Sequence, residues 1–185
     1  MTDPLYVAYH DEEWGRPVRD ERGLYERLSL EGFQSGLSWL TILRKRESFR
    51  AAFENFDPDR VSAFGERDVE RLLGDASIVR HRGKIEAAIA NASATVALRD
   101  ETPLHELFWS FAPESHSPPS GSGDWQSSTP ESVALAKALR RAGFRFVGPT
   151  TVYAAMQACG VVNDHLAQCW VRDAVESERI VALAT

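Results

Sequence analysis

Three dipeptides along the chain carry the same signal for the beginning of an α-helix. Asp57-Pro58, Thr102-Pro103 and Thr129-Pro130 each place a capping side chain directly before proline. A polar N-cap side chain accepts a hydrogen bond from a free backbone N–H, and proline at the first helical position has no N–H to leave unpaired. Strand-like alternation is nearly absent from the sequence. The chain is therefore predicted to be all-α.

Apolar periodicity and loop composition organise the chain further. Residues at helical spacing are Ile85, Ala88, Ile89 and Ala92, and then Leu135, Leu139 and Ala142 before Gly143, a predicted C-terminal cap. Between these patterns, residues 112–128 are rich in Ser, Pro and Gly. This composition predicts a mobile loop that joins two helical parts.

Composition sets the class of protein. A chain of 185 residues with 43 % hydrophobic content can bury the core of one domain. There is no apolar run of the roughly 20 residues that a membrane span needs, and the first residues lack the features of a signal peptide. We therefore expect a cytoplasmic protein. Cys159 and Cys169 are the only cysteines, so reduced thiols or metal ligation are expected rather than a disulfide framework.

The net charge of −6 argues against a uniformly basic nucleic-acid binder, but basic residues are clustered. The clusters lie within residues 44–50, 80–84 and 137–145, and the last belongs to a stretch, 132–163, without Asp or Glu. One such cluster is usually a solvated helix face. Three of them favour a surface for a polyanion, because phosphate binding needs local positive charge.

Glu31 is an acid inside an apolar helical pattern. Leu24 and Leu28 precede it on the same predicted face, and small residues surround it in LEGFQSGLSW. A glutamate in a helix is ordinarily solvated or paired, yet Arg27 is the only basic residue three or four positions away. A buried carboxylate needs a partner, and a ligand could supply it.

Four aromatic residues near this acid have two interpretations. They are either ordinary core aromatics or rings for a planar guest such as a nucleobase: Tyr6, Tyr9, Trp14 and Trp39.

Two further patterns each leave two interpretations open. In VERLLGDASIVRHRGKIEAAIANA, a helix breaks near Gly74, and the next begins amid Arg80, Arg82 and Lys84. This hairpin either binds a phosphate at a helix N-terminus or is a helix–loop–helix with a solvated basic end.

His165 and Cys169 stand four apart, so on a helix both would face one side as metal ligands, with His10 as a third. The alternative is a structural His beside a buried thiol.

Four segments together resemble the 3-methyladenine DNA glycosylase I family of bacterial alkylation-repair enzymes. They are DPLYVAYHDEEWG, LEGFQSGLSWLTILRKRESFRAAF, RHRGKIEAAIANA and GPTTVYAAMQACGVVNDH, and the likeness runs from about residue 3 to 169. The resemblance implies a helix-hairpin-helix glycosylase fold with a second small lobe. Within a single domain, 1–185, residues 20–112 would form the hairpin core, and 1–19 with 128–185 the lobe. The implied protein is a monomer that flips N3-methyladenine out of double-stranded DNA and hydrolyses its N-glycosidic bond.

The resemblance also assigns roles to residues. Glu31 would hydrogen-bond the methylated base, Tyr6, Tyr9 and Trp39 would shape and stack the pocket, and the hairpin would bind DNA. The family's structural zinc site has two Cys and two His, of which His10, His165 and Cys169 match three and the N-terminal Cys is missing, so a structural zinc ion is expected to be either incompletely ligated or absent. Ser77 stands where the family commonly has Gly. Asp164 is not assigned the role of base.

Two other classes of function remain open at this point. One is a helix-hairpin-helix module that binds DNA without excising a base. The other is a zinc-dependent hydrolase that uses His10, His165 and Cys169. The role of Glu31 distinguishes the glycosylase from the first, and the effect of chelation on turnover distinguishes it from the second.

Overall fold

The computed structural model describes residues 3–184, apart from the side chain of Ser122, and every regular element in that range is helical. The α-helices are α1 (Pro4–Glu12), α2 (Glu21–Gln34), α3 (Trp39–Ala52), α4 (Pro58–Ser62), α5 (Glu66–Gly74), α6 (Arg82–Leu98), α7 (Leu104–Trp109), α8 (Pro130–Arg141), α9 (Pro149–Ala158) and α10 (Arg172–Leu183). Single turns of 3-10 helix lie at Glu54–Phe56 and Ser122–Asp124. The prediction of an all-α fold is confirmed. Within residues 3–184, no helix has both the length and the apolar character needed to cross a membrane.

Two of the three predicted helix starts are confirmed. The Asp57 side chain caps α4, and the Thr129 side chain accepts a hydrogen bond from the Ser132 N–H at the start of α8. The third start is displaced by one residue. Pro103 has an extended ψ of 146° and is itself the N-cap of α7, which begins at Leu104 without a side-chain cap.

Gly143 ends α8 as the sequence predicts. Its φ of +96° lies in the left-handed region that favours glycine. The Gly143 N–H donates to the Arg140 carbonyl and the Phe144 N–H to the Leu139 carbonyl. These two bonds form a Schellman cap, which turns the chain towards α9.

Helix α2 is the centre of the molecule. The Asp20 side chain caps its N-terminus, and the helix packs against α3, α6 and α9. Its apolar residues Leu24, Leu28, Leu30 and Phe33 are all at most 2 % exposed. The same hydrophobic cluster includes residues of α8 and α9 and Ala182 of α10, so residues from 20–112 and from 128–185 share one core. A side chain on the cavity side of α2 is therefore held by a helix most of whose residues are buried.

Helices α5 and α6 flank the segment for which the sequence predicts a hairpin. The turn between them, residues 75–81, buries Ile78 and is fixed from outside by Lys45 of α3. The Lys45 ammonium donates to the carbonyls of Ala76 and Ser77 at 3.1 and 2.9 Å. His81 caps α6 by accepting a hydrogen bond from the Lys84 N–H.

The connecting segment, residues 112–128, is irregular apart from its one 3-10 turn. Its attachment to the body is more specific than its composition indicates, because several of its polar groups bond to the chain that follows α9.

Candidate active site

One cavity of about 450 Å³ lies between α1, α2, α3, α9, the connecting segment and the chain after α9. Its lining residues are Tyr6, Tyr9, His10, Trp14, Glu31, Gln34, Trp39, Trp125, Gln126, Ala154, Gln157, Asp164, His165, Leu166 and Cys169. The structure thus brings together Glu31, the four predicted aromatic residues and the three predicted metal ligands, although they lie more than 150 positions apart at the extremes.

Glu31 is a buried acid that has no hydrogen-bond or ion-pair partner in the described part of the chain. Its side chain is on α2 and lines the cavity, and the residue is 6 % exposed. Its carboxyl group accepts no hydrogen bond from any residue in the described range 3–184. Arg27, one turn earlier, lies instead within 3.6 Å of Glu13 and 3.8 Å of Glu26. Burial raises the pKa of Glu31 to about 8, and the charge of Arg27 opposes this rise only in part.

Aromatic rings from two helices lie beside this acid. Tyr6 and Tyr9 follow each other along α1 with ring centroids 6.5 Å apart and nearly parallel planes. Trp39, the first residue of α3, tilts against Tyr9 at 5.3 Å, and its indole Nε1 is buried without a hydrogen-bond partner among the described residues. A buried N–H normally has a partner, so this donor and the Glu31 carboxyl together indicate a polar ligand.

Trp14 lines the same cavity but packs against histidines. Its ring lies 4.6 Å from that of His165 in an edge-on arrangement and 6.1 Å from that of His10. It therefore lines the part of the cavity beside the predicted metal ligands.

His10, His165 and Cys169 have ligand atoms that all lie within 4.8 Å of one another. The Nδ1 atoms of both histidines are engaged outside the cluster, by the Asp11 carboxylate at 2.7 Å and by the Asn163 side-chain oxygen at 2.9 Å. The Nε2 of His165 is buried without a partner among the described residues. Burial lowers the pKa of His165 to about 4, which keeps its imidazole neutral. This donor set fits a metal such as zinc, since outer partners on Nδ1 leave Nε2 to ligate.

The segment that carries two of these ligands is not a helix, contrary to the sequence prediction. Residues 161–170 form bends and turns, and a hydrogen bond from the Cys169 N–H to the Leu166 carbonyl closes the turn that brings Cys169 towards His10. Gly15 permits the close approach: its φ is +81°, and a Cβ there would lie 2.8 Å from the His165 ring. A tight turn, rather than helical spacing, brings the pair together.

The three basic residues of the hairpin have different environments. Arg80 is exposed and makes no ion pair with any described residue. Arg82 pairs with Glu66 at 2.9 Å and also contacts Glu70. Lys84 does not fit the expected phosphate contact, because it is 8 % exposed and its ammonium donates to the Phe33 and Ser35 carbonyls at 2.9 and 2.6 Å. Those carbonyls lie at the C-terminal end of α2, where a cation is favourable.

Sequence reasoning missed several cavity residues. Trp125 and Gln126 come from the connecting segment, whose irregular sequence gives no periodic signal for burial. Gln157 and Asp164 come from α9 and the chain after it. Asp164, which is 4 % exposed, was visible as the acid that ends a long stretch without carboxylates, but its partners are not readable from spacing.

The geometry defines a helical protein with an aromatic cavity that contains a buried acid and a buried indole N–H, both without a hydrogen-bond partner among the described residues. Comparison with known proteins agrees. The family model described as methyladenine glycosylase matches residues 1–173. DNA-3-methyladenine glycosylase 1 of Escherichia coli strain K12 is 51 % identical over 172 residues, covering 90 % of this chain and 91 % of that protein. The DNA-3-methyladenine glycosylase of Haemophilus influenzae is 42 % identical over 170 residues, covering 89 % and 91 %.

Solved structures give the same result. A crystal structure of 3-methyladenine DNA glycosylase I superimposes with a TM-score of 0.88 at 50 % identity, covering 92 % of this chain and 95 % of that one. The Staphylococcus aureus 3-methyladenine DNA glycosylase I, solved to explain 3-methyladenine recognition, has a TM-score of 0.88 at 33 % identity, with 93 % of each chain covered. The chain belongs to the methyladenine glycosylase family.

Proposed function

We propose that this protein is a monofunctional DNA glycosylase that releases N3-methyladenine from alkylated double-stranded DNA by flipping the nucleotide and hydrolysing its N-glycosidic bond. The observation that carries the proposal is the buried Glu31 carboxyl, which faces an aromatic cavity without a partner in the described chain. The names of the Escherichia coli and Haemophilus influenzae relatives support the same activity. In this proposal the protein acts as a cytoplasmic monomer without a redox or nucleotide cofactor.

Charge explains how such a cavity selects its base. Methylation at N3 makes the nucleotide's adenine ring cationic and weakens its bond to the sugar, so the leaving group is already activated. The burial that raises the pKa of Glu31 also strengthens its attraction for a cation, because few water dipoles screen the pair. A cationic base therefore favours the ionised form of Glu31. Neutral adenine has no positive charge to offset the desolvation cost of the ionised carboxylate. Glu31 thus recognises the base and stabilises its charge.

The rings support this role by stacking and by hydrogen bonding. Tyr6 and Tyr9 offer nearly parallel faces, and Trp39 offers a free indole N–H beside them. Base–aromatic stacking is worth about 1–3 kcal/mol per base, which offsets part of the few kcal/mol needed to extrude a nucleotide. In the proposed complex Trp14 lines the part of the pocket beside the predicted metal ligands.

Base flipping leaves a gap in the duplex, and an apolar side chain near the cavity can fill it. Leu37 lies in the turn between Gln34 and Trp39, two cavity residues, and its side chain is 43 % exposed. Gly36, with a φ of +82°, allows the turn that presents it. Apolar side chains inserted at a base step commonly stabilise distorted duplexes. We assign Leu37 this role.

DNA binding is assigned to the helix-hairpin-helix formed by α5 and α6. The free N–H groups at the start of α6 and the exposed Arg80 suit a phosphate. Arg82 belongs to the same surface, but a phosphate would have to compete there with Glu66 and Glu70. Lys84 supports the hairpin from inside.

A structural zinc ion is the proposed occupant of the cluster formed by His10, His165 and Cys169. When bound, zinc would supply a cross-link between α1 and the turns after α9. The residues themselves orient the site: Asp11 and Asn163 bond the Nδ1 atoms of the two imidazole rings and leave both Nε2 atoms to ligate the metal. Three protein ligands leave one position of a tetrahedral site for an exogenous ligand.

The test is release of free 3-methyladenine from methylated duplex DNA by the wild type and by Glu31→Gln, with zinc content measured on the same preparations. Glu114→Gln, an exposed acid of the connecting segment, is the matched control. Release by the wild type and by the control, with a marked loss in Glu31→Gln and unchanged duplex binding, supports the proposal. A folded wild type that binds DNA without releasing base would instead be a non-catalytic module. Turnover abolished by chelation in a protein that stays folded would indicate a zinc-dependent hydrolase.

A further inference from the structure

Asp164 is a cavity acid whose carboxylate is fully engaged by other side chains. One oxygen, Oδ1, lies 2.5 Å from the His116 Nε2. The other, Oδ2, accepts hydrogen bonds from the Tyr153 hydroxyl and the Gln157 side-chain amide, each at 2.6 Å. With the residue 4 % exposed and both oxygens bonded, the carboxylate is poorly arranged to take a proton from an attacking water. Its partners point to another role.

Those partners come from two separate parts of the chain. Tyr153 and Gln157 belong to α9, which packs on the central helix α2, whereas His116 belongs to the connecting segment. Two more hydrogen bonds attach that segment at the same place. The Trp125 indole donates to the backbone carbonyl of Asp164 at 3.2 Å, and the Ala167 N–H donates to the Pro119 carbonyl at 3.0 Å. Asp164 is therefore the junction between the segment and the helical body.

The attachment decides where one wall of the cavity stands. Trp125 lines the cavity while 49 % exposed, so packing on the core does not fix its position. The connecting segment consists largely of Ser, Pro and Gly, and such a sequence buries too little apolar surface to hold one conformation by itself. Charged hydrogen bonds to a buried carboxylate are the stronger restraint.

We propose that Asp164 is a positioning residue of the base pocket: by anchoring His116 it holds the connecting segment against α9 and places Trp125 as a wall of the cavity. This inference rests on the proposed function of that cavity. Asp164 acts through Trp125 and not on the reacting atoms. It follows that the pocket has two unlike sides: rings on helices α1 and α3, and a tryptophan held by polar contacts.

The affinity of the protein for free 3-methyladenine tests this placement. Trp125→Ala is expected to raise the dissociation constant roughly tenfold, in the range of a lost base–aromatic contact, and Trp125→Phe to restore most of it. Asp164→Asn should weaken binding similarly. The double variant Asp164→Asn/Trp125→Ala should bind no more weakly than Trp125→Ala, because both changes remove the same wall. Fully additive losses would overturn the proposal, as would a large loss of single-turnover excision rate in Asp164→Asn with unchanged affinity, the result expected of a base.

A second measurement needs neither ligand nor turnover. The indole N–H signal of Trp125, assigned by its loss in Trp125→Phe, should move and exchange faster with solvent in Asp164→Asn and in the milder His116→Gln. Asp173→Asn, an exposed acid of α10, is the control and should leave the signal in place. Zinc content is matched across the variants because His165 is adjacent. An unchanged signal in both test variants overturns the proposal. If the Trp125 signal changes in the two test variants but the wild type does not bind 3-methyladenine, the proposed function is contradicted and the anchoring by Asp164 still stands.

Discussion

Replacing Glu31 by Gln should make the protein more stable, and increasingly so as the pH rises. The folded protein holds this carboxyl with a pKa of about 8, whereas its ordinary value is 4.5. The unfolded chain therefore releases the proton several pH units before the folded protein does. Stability from the protonated form is fully present below pH 4.5 and is lost as the pH rises to about 8. Gln stays neutral in both states, so the variant lacks this loss.

The size of the effect follows from the shift. One pKa unit corresponds to about 1.4 kcal/mol, so the raised pKa of Glu31 costs the folded state about 4 kcal/mol at pH 8 and roughly 3 kcal/mol at pH 7. The predicted quantity is the difference in unfolding free energy between Glu31→Gln and the wild type. It should increase by about 1 kcal/mol for each pH unit between pH 5 and pH 8. Groups that titrate equally in both proteins cancel from this difference.

Urea unfolding at pH 5, 6, 7 and 8 measures the difference directly. Glu114→Gln removes an equally charged but exposed acid and should follow the wild type at every pH. If the stability curves of Glu31→Gln and the wild type run parallel, then Glu31 is not a desolvated acid without a partner, and the electrostatic account of base recognition is refuted with it.

Four further outcomes are expected. The specificity constant for excision should rise with pH and level off near pH 8, since the fixed charge of the methylated nucleotide favours ionised Glu31; a flat profile in the wild type would contradict this. Arg80→Ala should reduce the slope of log affinity for duplex against log salt by about 0.9, whereas Lys84→Ala should keep the slope and lower the unfolding free energy. Leu37→Ala should slow excision from duplex while leaving the affinity for free 3-methyladenine unchanged, as stopped-flow and calorimetry would show. Cys169→Ser should reduce bound zinc and the melting temperature together; unchanged melting with zinc lost would remove the structural role.

Local signals predicted the helices well because their causes are local. Asp57 and Thr129 cap their helices as the sequence indicates, and Gly143 closes α8 with a left-handed residue. Pro103 shows the limit of this reasoning: proline is compatible with both the N-cap and the first helical position, and only packing decides between them.

The same distinction between local causes and contacts distant in sequence applies to the candidate site. Glu31 could be singled out because an acid on an apolar face breaks a pattern that is visible in fourteen consecutive residues of α2. The wall containing Trp125 could not, since its position depends on hydrogen bonds to Asp164, 39 positions away. Lys84 was misjudged for a related reason: its charge is visible in the sequence, but the carbonyls that it binds lie about 50 positions earlier.

The contact made by Lys84 has a mechanical consequence. Its ammonium joins the first turn of α6 to the end of α2, between Glu31 and the turn that carries Leu37. In the proposed complex, Lys84 therefore holds the phosphate-binding start of α6 at a fixed distance from the wedge residue Leu37. A stretch of DNA that bends easily, as around a weakened base pair, would then reach both contacts at a lower deformation energy. A longer distance between the start of α6 and Leu37 would alter which nucleotide is presented to the pocket, although no residue of the pocket had changed.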